Sequence, residues 1–416
     1  MYGIKGKYTN AKVMIDDIDE ETSKQIYEFV SHPAFTNPIA IMPDTHAGKG
    51  SVIGFTMKVT DKIVPNVIGV DIGCGMLSIN IGNDLKFSLE TIDKIIKQTI
   101  PTGFRIHSKV SKLNRYLHMF QINSNHEQIM EDITFVCKLI GIDEYKAKCA
   151  LGTLGGGNHF IEIGKDLNDE YWLTIHTGSR NFGKCVCDYY QKQAIDLAEQ
   201  ERETFLNAEK IRILANDDKS NIQTLLDKAK QNYGVAFENK TLRYLTNDLA
   251  KEYLSSMYIA QNFAKINRYL IAYKICACLN WLPKDTIESI HNYIDPIDNI
   301  IRKGAIRSYV GERMIIPFNM RDGILICEGK SNPEWNYSAP HGAGRVLSRS
   351  QAKQKITLED FQETMVGIYS TSINTKTIDE SPFAYKDSKI IEEAIEPTTK
   401  IINRIKPILN IKDCGD

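Results

Sequence analysis

The segment Ser338-Ala339-Pro340-His341-Gly342-Ala343-Gly344-Arg345 sets a histidine in a turn of small residues. Arg345 and Arg349 stand beside it, and a helix-forming run follows. Small residues let the backbone approach a bulky anion, and the N–H groups that follow can cradle phosphate. An imidazole placed there can attack a phosphorus atom as well as bind the anion. Read with the other histidines, the segment implies metal-assisted nucleotidyl transfer with His341 as nucleophile. A helix start carrying a satisfied histidine is the plainer alternative.

The chain has nine histidines. His46, His159, His176, His291 and His341 stand in loop-like or strand-end contexts, flanked by small or polar residues. In Asn66-Val67-Ile68-Gly69-Val70-Asp71-Ile72-Gly73-Cys74-Gly75, a short β-branched strand leads into Asp71, and two glycines bracket Cys74. A carboxylate and a thiolate three apart in a tight turn can point into one site and suit a divalent transition ion. A thiolate can also bridge two ions. His159 follows three glycines and Asn158, His176 opens His176-Thr177-Gly178-Ser179-Arg180, and His291 lies in Ser289-Ile290-His291-Asn292-Tyr293. With Asp71 and Cys74 these make a mixed O/S/N ligand set that admits Mn²⁺, Zn²⁺ or Co²⁺. No Cys-x-x-Cys pair or His-Glu-x-x-His helix is present, which disfavours standard zinc modules. The loop Met42–Gly50 pairs Asp44 with His46, as a general acid/base or as partners that orient the metal ligands.

The elements that must position these residues fall into four regions. Residues 1–80 read as short strands joined by functional loops. Residues 81–180 mix helix and strand, with Ser88–Gln98 helical and Phe160–Ile163 and Tyr171–Ile175 strand-like. Residues 185–280 are Gly-poor, charged and helical in period. From Leu249, apolar residues recur through Tyr253, Met257, Ala260, Phe263, Ile266, Leu270 and Tyr273, with Thr246 or Asn247 as cap. This predicts a long helical insertion in a β-rich body. Residues 290–416 return to strands and loops, with a final helix around 387–405. Among 416 residues, 42% are hydrophobic and 25% charged, ordinary for a soluble globular protein. The formal net charge of −1 means that any polyanion site must be a local patch. One candidate is Arg302, Lys303, Arg307 and Arg313 with Arg345, Arg349, Lys353 and Lys355. Nine scattered cysteines, no apolar run of membrane length and no signal-peptide pattern predict a cytoplasmic protein.

Pro43-Asp44-Thr45-His46, Gly69–Met76, Gly155–Phe160, His176–Arg180 and His341–Arg345 occur in an order that resembles the RtcB family of RNA ligases. The resemblance spans nearly the whole chain. It implies an α+β fold of the RtcB type, a single catalytic domain over 1–416 whose β-rich body encloses a dinuclear metal site. It implies GTP- and Mn²⁺-dependent joining of RNA 3′-phosphate or 2′,3′-cyclic phosphate ends to 5′-hydroxyl ends, in tRNA splicing or RNA repair. The route passes through a guanylylated histidine and an RNA-(3′)pp(5′)G end. His341 is then the guanylylated residue. Asp71, Cys74, His159, His176 and His291 hold two Mn²⁺ ions, with Cys74 shared. Asn158, His159, Phe160, Ile161 and Glu162, together with His291 and Asn292, contact the nucleotide, Glu162 reading the guanine edge. Gly342, Ala343 and Gly344 line the GMP phosphate, Lys412 reaches the guanine, and Arg180 and Arg345 meet RNA phosphates. Some members of the family work with the small activator archease.

The chain departs from the family where many members carry Pro-Gly-Ser-Met. Here the loop is Pro317-Phe318-Asn319-Met320, so an amide replaces the serine hydroxyl and a bulky ring appears. The tail Asp413-Cys414-Gly415-Asp416 extends beyond Lys412. Two other functions use the same residues: a metal-dependent phosphodiesterase or nuclease, and a non-catalytic RNA-end-binding protein.

Overall fold

In the computed structural model, which describes residues 1–48, 50–112, 118–120, 125–215, 221–234 and 239–415, the strand β5 (Gly75–Gly82) is buried along its whole length. Leu77, Ile79 and Ile81 alternate with Met76, Ser78 and Asn80, and both faces are covered. Leu77, Ile79 and Ile81 join the main core on one side. Met76, on the other, joins Trp172, Ile287, Ile315, Ile324, Ile326 and Ile405.

β5 belongs to a seven-stranded sheet in which every neighbour is antiparallel. Its order is β12 (Arg313–Pro317), β13 (Ile324–Gly329), β15 (Thr399–Ile411), β6 (Phe160–Asp166), β7 (Tyr171–Thr177), β5 and β8 (Asp285–Ile290). The cluster around Met76 draws residues from both ends of that order, so the sheet curls about a small core of its own. The two edges meet where the Ile315 amide donates to Ser289 Oγ at 2.9 Å.

A second sheet has six strands, ordered β1 (Tyr2–Lys5), β2 (Asn10–Val13), β3 (Ile39–His46), β4 (Ile53–Lys58), β10 (Ile300–Lys303) and β9 (Asn292–Ile294). Only β2 and β3 pair in parallel within it. β11 (Ala305–Arg307) pairs with β14 (Ser338–Pro340) and delivers the chain to His341.

Helices α1 (Glu20–Val30), α2 (Leu89–Thr99), α3 (Arg180–Leu214), α4 (Ile222–Gly234), α5 (Asn247–Leu279) and α6 (Ser388–Ala394) surround the sheets. Asp19 caps α1 by accepting from the Thr22 amide, and Ser88 caps α2 by accepting from the Thr91 amide. The stripe read from Leu249 is the buried face of α5, with Tyr253, Met257, Ala260, Phe263 and Leu270 in the main core. Each large apolar side chain so buried contributes about 1.5–3 kcal/mol. Thr246 stands at the N-cap position, and Asn280 ends the helix in the left-handed region, φ 52°. Among the described residues, no helix is long and apolar enough to cross a membrane, and all nine cysteines are free.

Four expectations are corrected. Residues 1–80 hold α1 as well as strands, because Asp19 and an acidic first turn start a helix whose Ile26, Phe29 and Val30 are buried. Pro43–His46 are not a loop but continue β3, past an irregularity in its pairing with β4. The final helix is only Ser388–Ala394. Pro397 stops it, and the isoleucines of Thr399–Ile411 then pair with both β13 and β6. The basic cluster is not a free patch. Arg302 is wholly buried and held by Asp298, while Lys303 is buried and donates to the Ile68 carbonyl. Arg307 pairs with Asp295 and Glu312, Arg313 with Asp285, and Arg349 and Lys353 with Asp379. Some partners are near in sequence, such as Asp298 for Arg302, and others, such as Asp285 for Arg313 and Asp379 for Arg349, are about 30 positions away.

Candidate active site

Antiparallel alternation places the ends of four neighbouring strands at one rim of the curled sheet. β5 begins there directly after Cys74, and β6 directly after His159. β7 ends there at Thr177, one residue past His176, and β8 ends just before His291. The register aligns them: Gly75 faces both Thr177 and Ile290, and Phe160 faces His176. Residues hundreds of positions apart thereby become neighbours.

Their ligand atoms form two triads. One is Asp71, Cys74 and His159; the other is Cys74, His176 and His291, and within each the atoms lie within 4.8 Å of one another. Cys74 Sγ is 3.5 Å from His159 Nε2 and 3.4 Å from His176 Nε2. His176 Nε2 is 3.4 Å from His291 Nε2, and His159 Nε2 is 2.9 Å from Asp71 Oδ2. Around a tetrahedral ion with zinc-like bond lengths, N···S and N···N edges are about 3.6 and 3.3 Å. The spacings fit a metal-holding site.

The remaining nitrogens fix the rings. His159 Nδ1 is 3.0 Å from the Leu154 carbonyl and His176 Nδ1 is 3.2 Å from the Asn158 carbonyl. His176 Nδ1 carries the proton it donates, and its Nε2 lone pair faces the cluster, while His159 turns Nε2 toward Asp71. Burial, reinforced by neighbouring imidazoles, holds His176 and His291 well below the usual histidine pKa, so both are neutral. Burial raises the carboxyl pKa of Asp71, but His159 outweighs it and holds that carboxyl well below its usual range. Burial, then the Asp71 charge, pushes the Cys74 thiol well above its ordinary value. A half-buried carboxylate on one imidazole, and a buried sulfur shared with two more, make a donor set that a cation would satisfy. Gly178 leaves room for this contact, since a Cβ there would lie 2.1 Å from Asp71 Oδ1.

His341 stands beside the second triad, its ring centroid 4.7 Å from that of His291. Asp44, wholly buried, accepts from His341 Nδ1 at 2.6 Å and from the His341 amide at 3.2 Å through Oδ2. The contact keeps a proton on Nδ1, so the neutral ring presents its lone pair at Nε2. Gly344 (φ 74°) packs against the backbone of Asp44, where a Cβ would meet the carbonyl oxygen at 2.2 Å. His46 Nδ1 lies 3.0 Å from the Asp44 carbonyl, and burial lowers its pKa to about 4.

A cleft with about 560 Å³ of empty space opens from His341 and His176. Its walls include Asn158, Phe160, Glu162, Pro317, Phe318, Asn319, Met320, Gly342 and Lys412 from the sequence-derived set. Glu162 Oε2 accepts from Asn410 Nδ2 at 2.8 Å, while Glu162 Oε1 and Asn410 Oδ1 are buried without a partner among the described residues. Burial raises the Glu162 carboxyl to about 8, against the pull of Asn410 and Lys412. Lys412 Nζ pairs with Glu380 at 2.9 Å and lies 3.3 Å from the Asn158 carbonyl. Burial opposes the ionisation of Glu380, but Lys412, Arg349 and Arg345 hold its pKa down at about 2. Asn319 folds back on its own turn, donating to Asp322 and accepting from the Arg321 and Asp322 amides. Phe318 is buried in a separate small core.

Other sequence-derived residues stand off the cleft wall. Ile161 and Ala343 are core residues. Asn292 donates to the Asp71 carbonyl and accepts from the Gly304 amide. Arg180 donates to Thr153 Oγ1 and to the Gly103 carbonyl, and Arg345 to the Leu347 and Asp379 carbonyls.

Sequence reading missed Asn410, Glu380 and Tyr385, which line the cleft. It also missed Asn267 and Arg268 at the buried face of α5. Asn267 bonds the Gly152 and Thr153 amides and the Gly178 carbonyl; Arg268 bonds the Gly73 and Thr177 carbonyls and Glu288. Both pin the ligand-bearing loops. The signal available was an Asn-Arg pair interrupting an apolar stripe.

A centre that can hold metal ions, next to a histidine whose outer nitrogen is tied to a buried carboxylate, defines the class of metal-assisted group-transfer sites. The family model described as tRNA-splicing ligase RtcB matches residues 25–413, and the chain belongs to that family. It is similar to the RNA-splicing ligase RtcB of Escherichia coli (strain K12), 28% identical with 95% of each chain covered. It is also similar to the tRNA-splicing ligase RtcB of Nanoarchaeum equitans, 26% identical over 97% of this chain and 94% of that one. The tRNA-splicing ligase RtcB of Thermococcus kodakarensis is 24% identical over 94% and 90%.

Proposed function

We propose that this chain is an RNA ligase of splicing or repair, joining 3′-phosphate or 2′,3′-cyclic phosphate ends to 5′-hydroxyl ends with GTP and Mn²⁺. The reading takes 1–416 as one catalytic domain carrying a helical insertion at about 185–280. The observation that carries it is the Asp44–His341 pair set against two ligand triads that share Cys74. In this reading Asp71, Cys74 and His159 would hold one ion, and Cys74, His176 and His291 the other. Ions held there would supply neutralisation of phosphate charge.

His341 Nε2 attacks the α-phosphorus of GTP, the P–N bond forms and pyrophosphate leaves. The imidazole becomes cationic as that bond forms. The Asp44 carboxylate, holding Nδ1–H, stabilises the cation and fixes the ring. An RNA 3′-phosphate oxygen next displaces His341, which departs neutral and ready for another round. The 5′-hydroxyl oxygen then attacks the activated 3′-phosphate, and GMP leaves. His46, neutral and bonded through Nδ1, has Nε2 free to accept a proton. The test is incubation with Mn²⁺ and α-labelled GTP: label retained through denaturation supports the reading, and GTP-independent RNA cleavage without label refutes it.

Asp44→Asn keeps the shape of the pair but can present its amide NH₂ to Nδ1, favouring the wrong tautomer. Guanylylation should fall by on the order of 10²- to 10⁴-fold, with metal content unchanged by elemental analysis. A near-normal rate would remove Asp44 from the mechanism.

Glu162 is the proposed reader of the guanine edge, because its unpartnered Oε1 matches the N–H donors of guanine. Those donors favour the ionised carboxylate, whose pKa is raised to about 8 in the free protein. Binding therefore draws a proton off, and GTP affinity should rise with pH up to about 8 and then level. Titration calorimetry from neutral to mildly alkaline pH reads this. Glu162→Gln should flatten the profile and narrow the preference for GTP over ATP; an unchanged profile would take Glu162 out of the recognition.

A further inference from the structure

Between Asp93 and Glu127 the chain has no acidic residue, while it carries Lys94, Lys97, Arg105, Lys109, Lys112 and Arg115. In a protein of formal net charge −1 this is a marked local excess of positive charge. Its part nearest the metal centre is Thr102-Gly103-Phe104-Arg105-Ile106-His107. Phe104 is fully exposed and Ile106 partly so, while Arg105, Lys109 and Lys112 are exposed.

The loop is fastened to the site. Gly103 donates to the Gly155 carbonyl at 2.9 Å, and Thr102 pairs with Gly155. A Cβ on Gly155 would lie 2.8 Å from Nδ1 of His159, a member of the first ligand triad. Arg180, at the start of α3, donates to the Gly103 carbonyl at 2.6 Å. Farther along, the His107 amide donates to the Cys149 carbonyl, and Lys274 Nζ bonds His107 Nε2 at 2.6 Å and Ser111 Oγ at 3.0 Å. The Asp413 carboxylate packs on Gly103 and Gly156, under the loop. Arg105 bonds Thr102 Oγ1 and, with Lys109 and Lys112, has no ion pair among the described residues. The loop so tied carries an exposed aromatic ring one residue from Gly103, whose partner Gly155 adjoins His159.

We infer that the loop at Phe104 and Arg105 is a clamp for single-stranded RNA next to the join, Phe104 stacking on a base and Arg105 meeting a phosphate. This rests on the ligase reading and adds a positioning device to it. An exposed ring offers a π face to any base, so the clamp is indifferent to sequence, as repair of varied ends requires. Arg105, flanked by unpaired lysines, supplies the charge that backbone phosphates need. Arg180, which the sequence offered as a phosphate contact, serves here to hold the loop.

The test is equilibrium binding of a short fluorescein-labelled single-stranded RNA with a 3′-phosphate, read by anisotropy, beside self-guanylylation of the same samples. Phe104→Ala should weaken RNA binding about 5- to 100-fold and raise KM for RNA with little change in kcat. Phe104→Trp should restore binding. Arg105→Gln should lower the slope of log affinity against log salt by about 0.7. Guanylylation, which needs no RNA, should be unaffected in all three. Wild-type RNA affinity in Phe104→Ala overturns the clamp. Absence of guanylylation in the wild type refutes the ligase reading instead, while the binding series still decides whether the loop holds RNA.

Discussion

His341→Ala should form no covalent guanylate at all, and sealing of RNA ends should fall by on the order of 10⁴-fold or more. The cause is the loss of Nε2, the proposed attacking atom of a ring that Asp44 holds through Nδ1 at 2.6 Å. Metal content should stay near that of the wild type, because the two ligand triads do not include His341. The measurement is retention of labelled GMP on the denatured protein, with elemental analysis of the same preparation. A pre-activated RNA-(3′)pp(5′)G substrate separates the steps. The variant should still join it to a 5′-hydroxyl strand, since His341 has by then left the reaction. Normal adduct yield in His341→Ala would end the nucleophile assignment.

Cys74→Ala should weaken both metal sites at once. The sulfur lies 3.5 Å from His159 Nε2 and 3.4 Å from His176 Nε2, and it belongs to both triads. His159→Ala should damage the first site more, and His291→Ala the second. Removing even an outer partner of a metal ligand typically costs 10- to 100-fold in affinity, so loss of a shared ligand should cost at least about 100-fold at each site. Mn²⁺ titration followed by calorimetry and by paramagnetic resonance reads both affinities and the coupling between ions. Two ions bound with wild-type affinity in Cys74→Ala would return that cysteine to a packing role.

Much of this site is legible as residue types. Asp71 and Cys74 between glycines, and His159, His176 and His291 away from apolar helix faces, carry their chemistry in their surroundings. Their division into triads is not legible, because it depends on the pairing of β6, β7, β5 and β8, which links residues as far apart as Phe160 with His176 and Gly75 with Ile290. Nor is the bond between Asp44 and His341, 297 positions apart. The isoleucines of Thr399–Ile411, at positions 401, 402, 405, 408 and 411, recur near a helical spacing. Pairing on both sides chooses the strand, and Pro397 marks where the helix before it must stop. Basic residues such as Arg302 look like a surface patch until the fold brings Asp298 and Ser338 to them.

The alternation of strands at the rim also sets an order in time. As the chain leaves the ribosome, Asp71, Cys74 and His159 have all been made before α3 begins. The second set must wait for His291, synthesised 115 residues after His176, and for α5, whose Asn267 and Arg268 pin the loops. A nascent chain thus owns one triad long before it owns the other, and His341, the proposed nucleophile, arrives last of all.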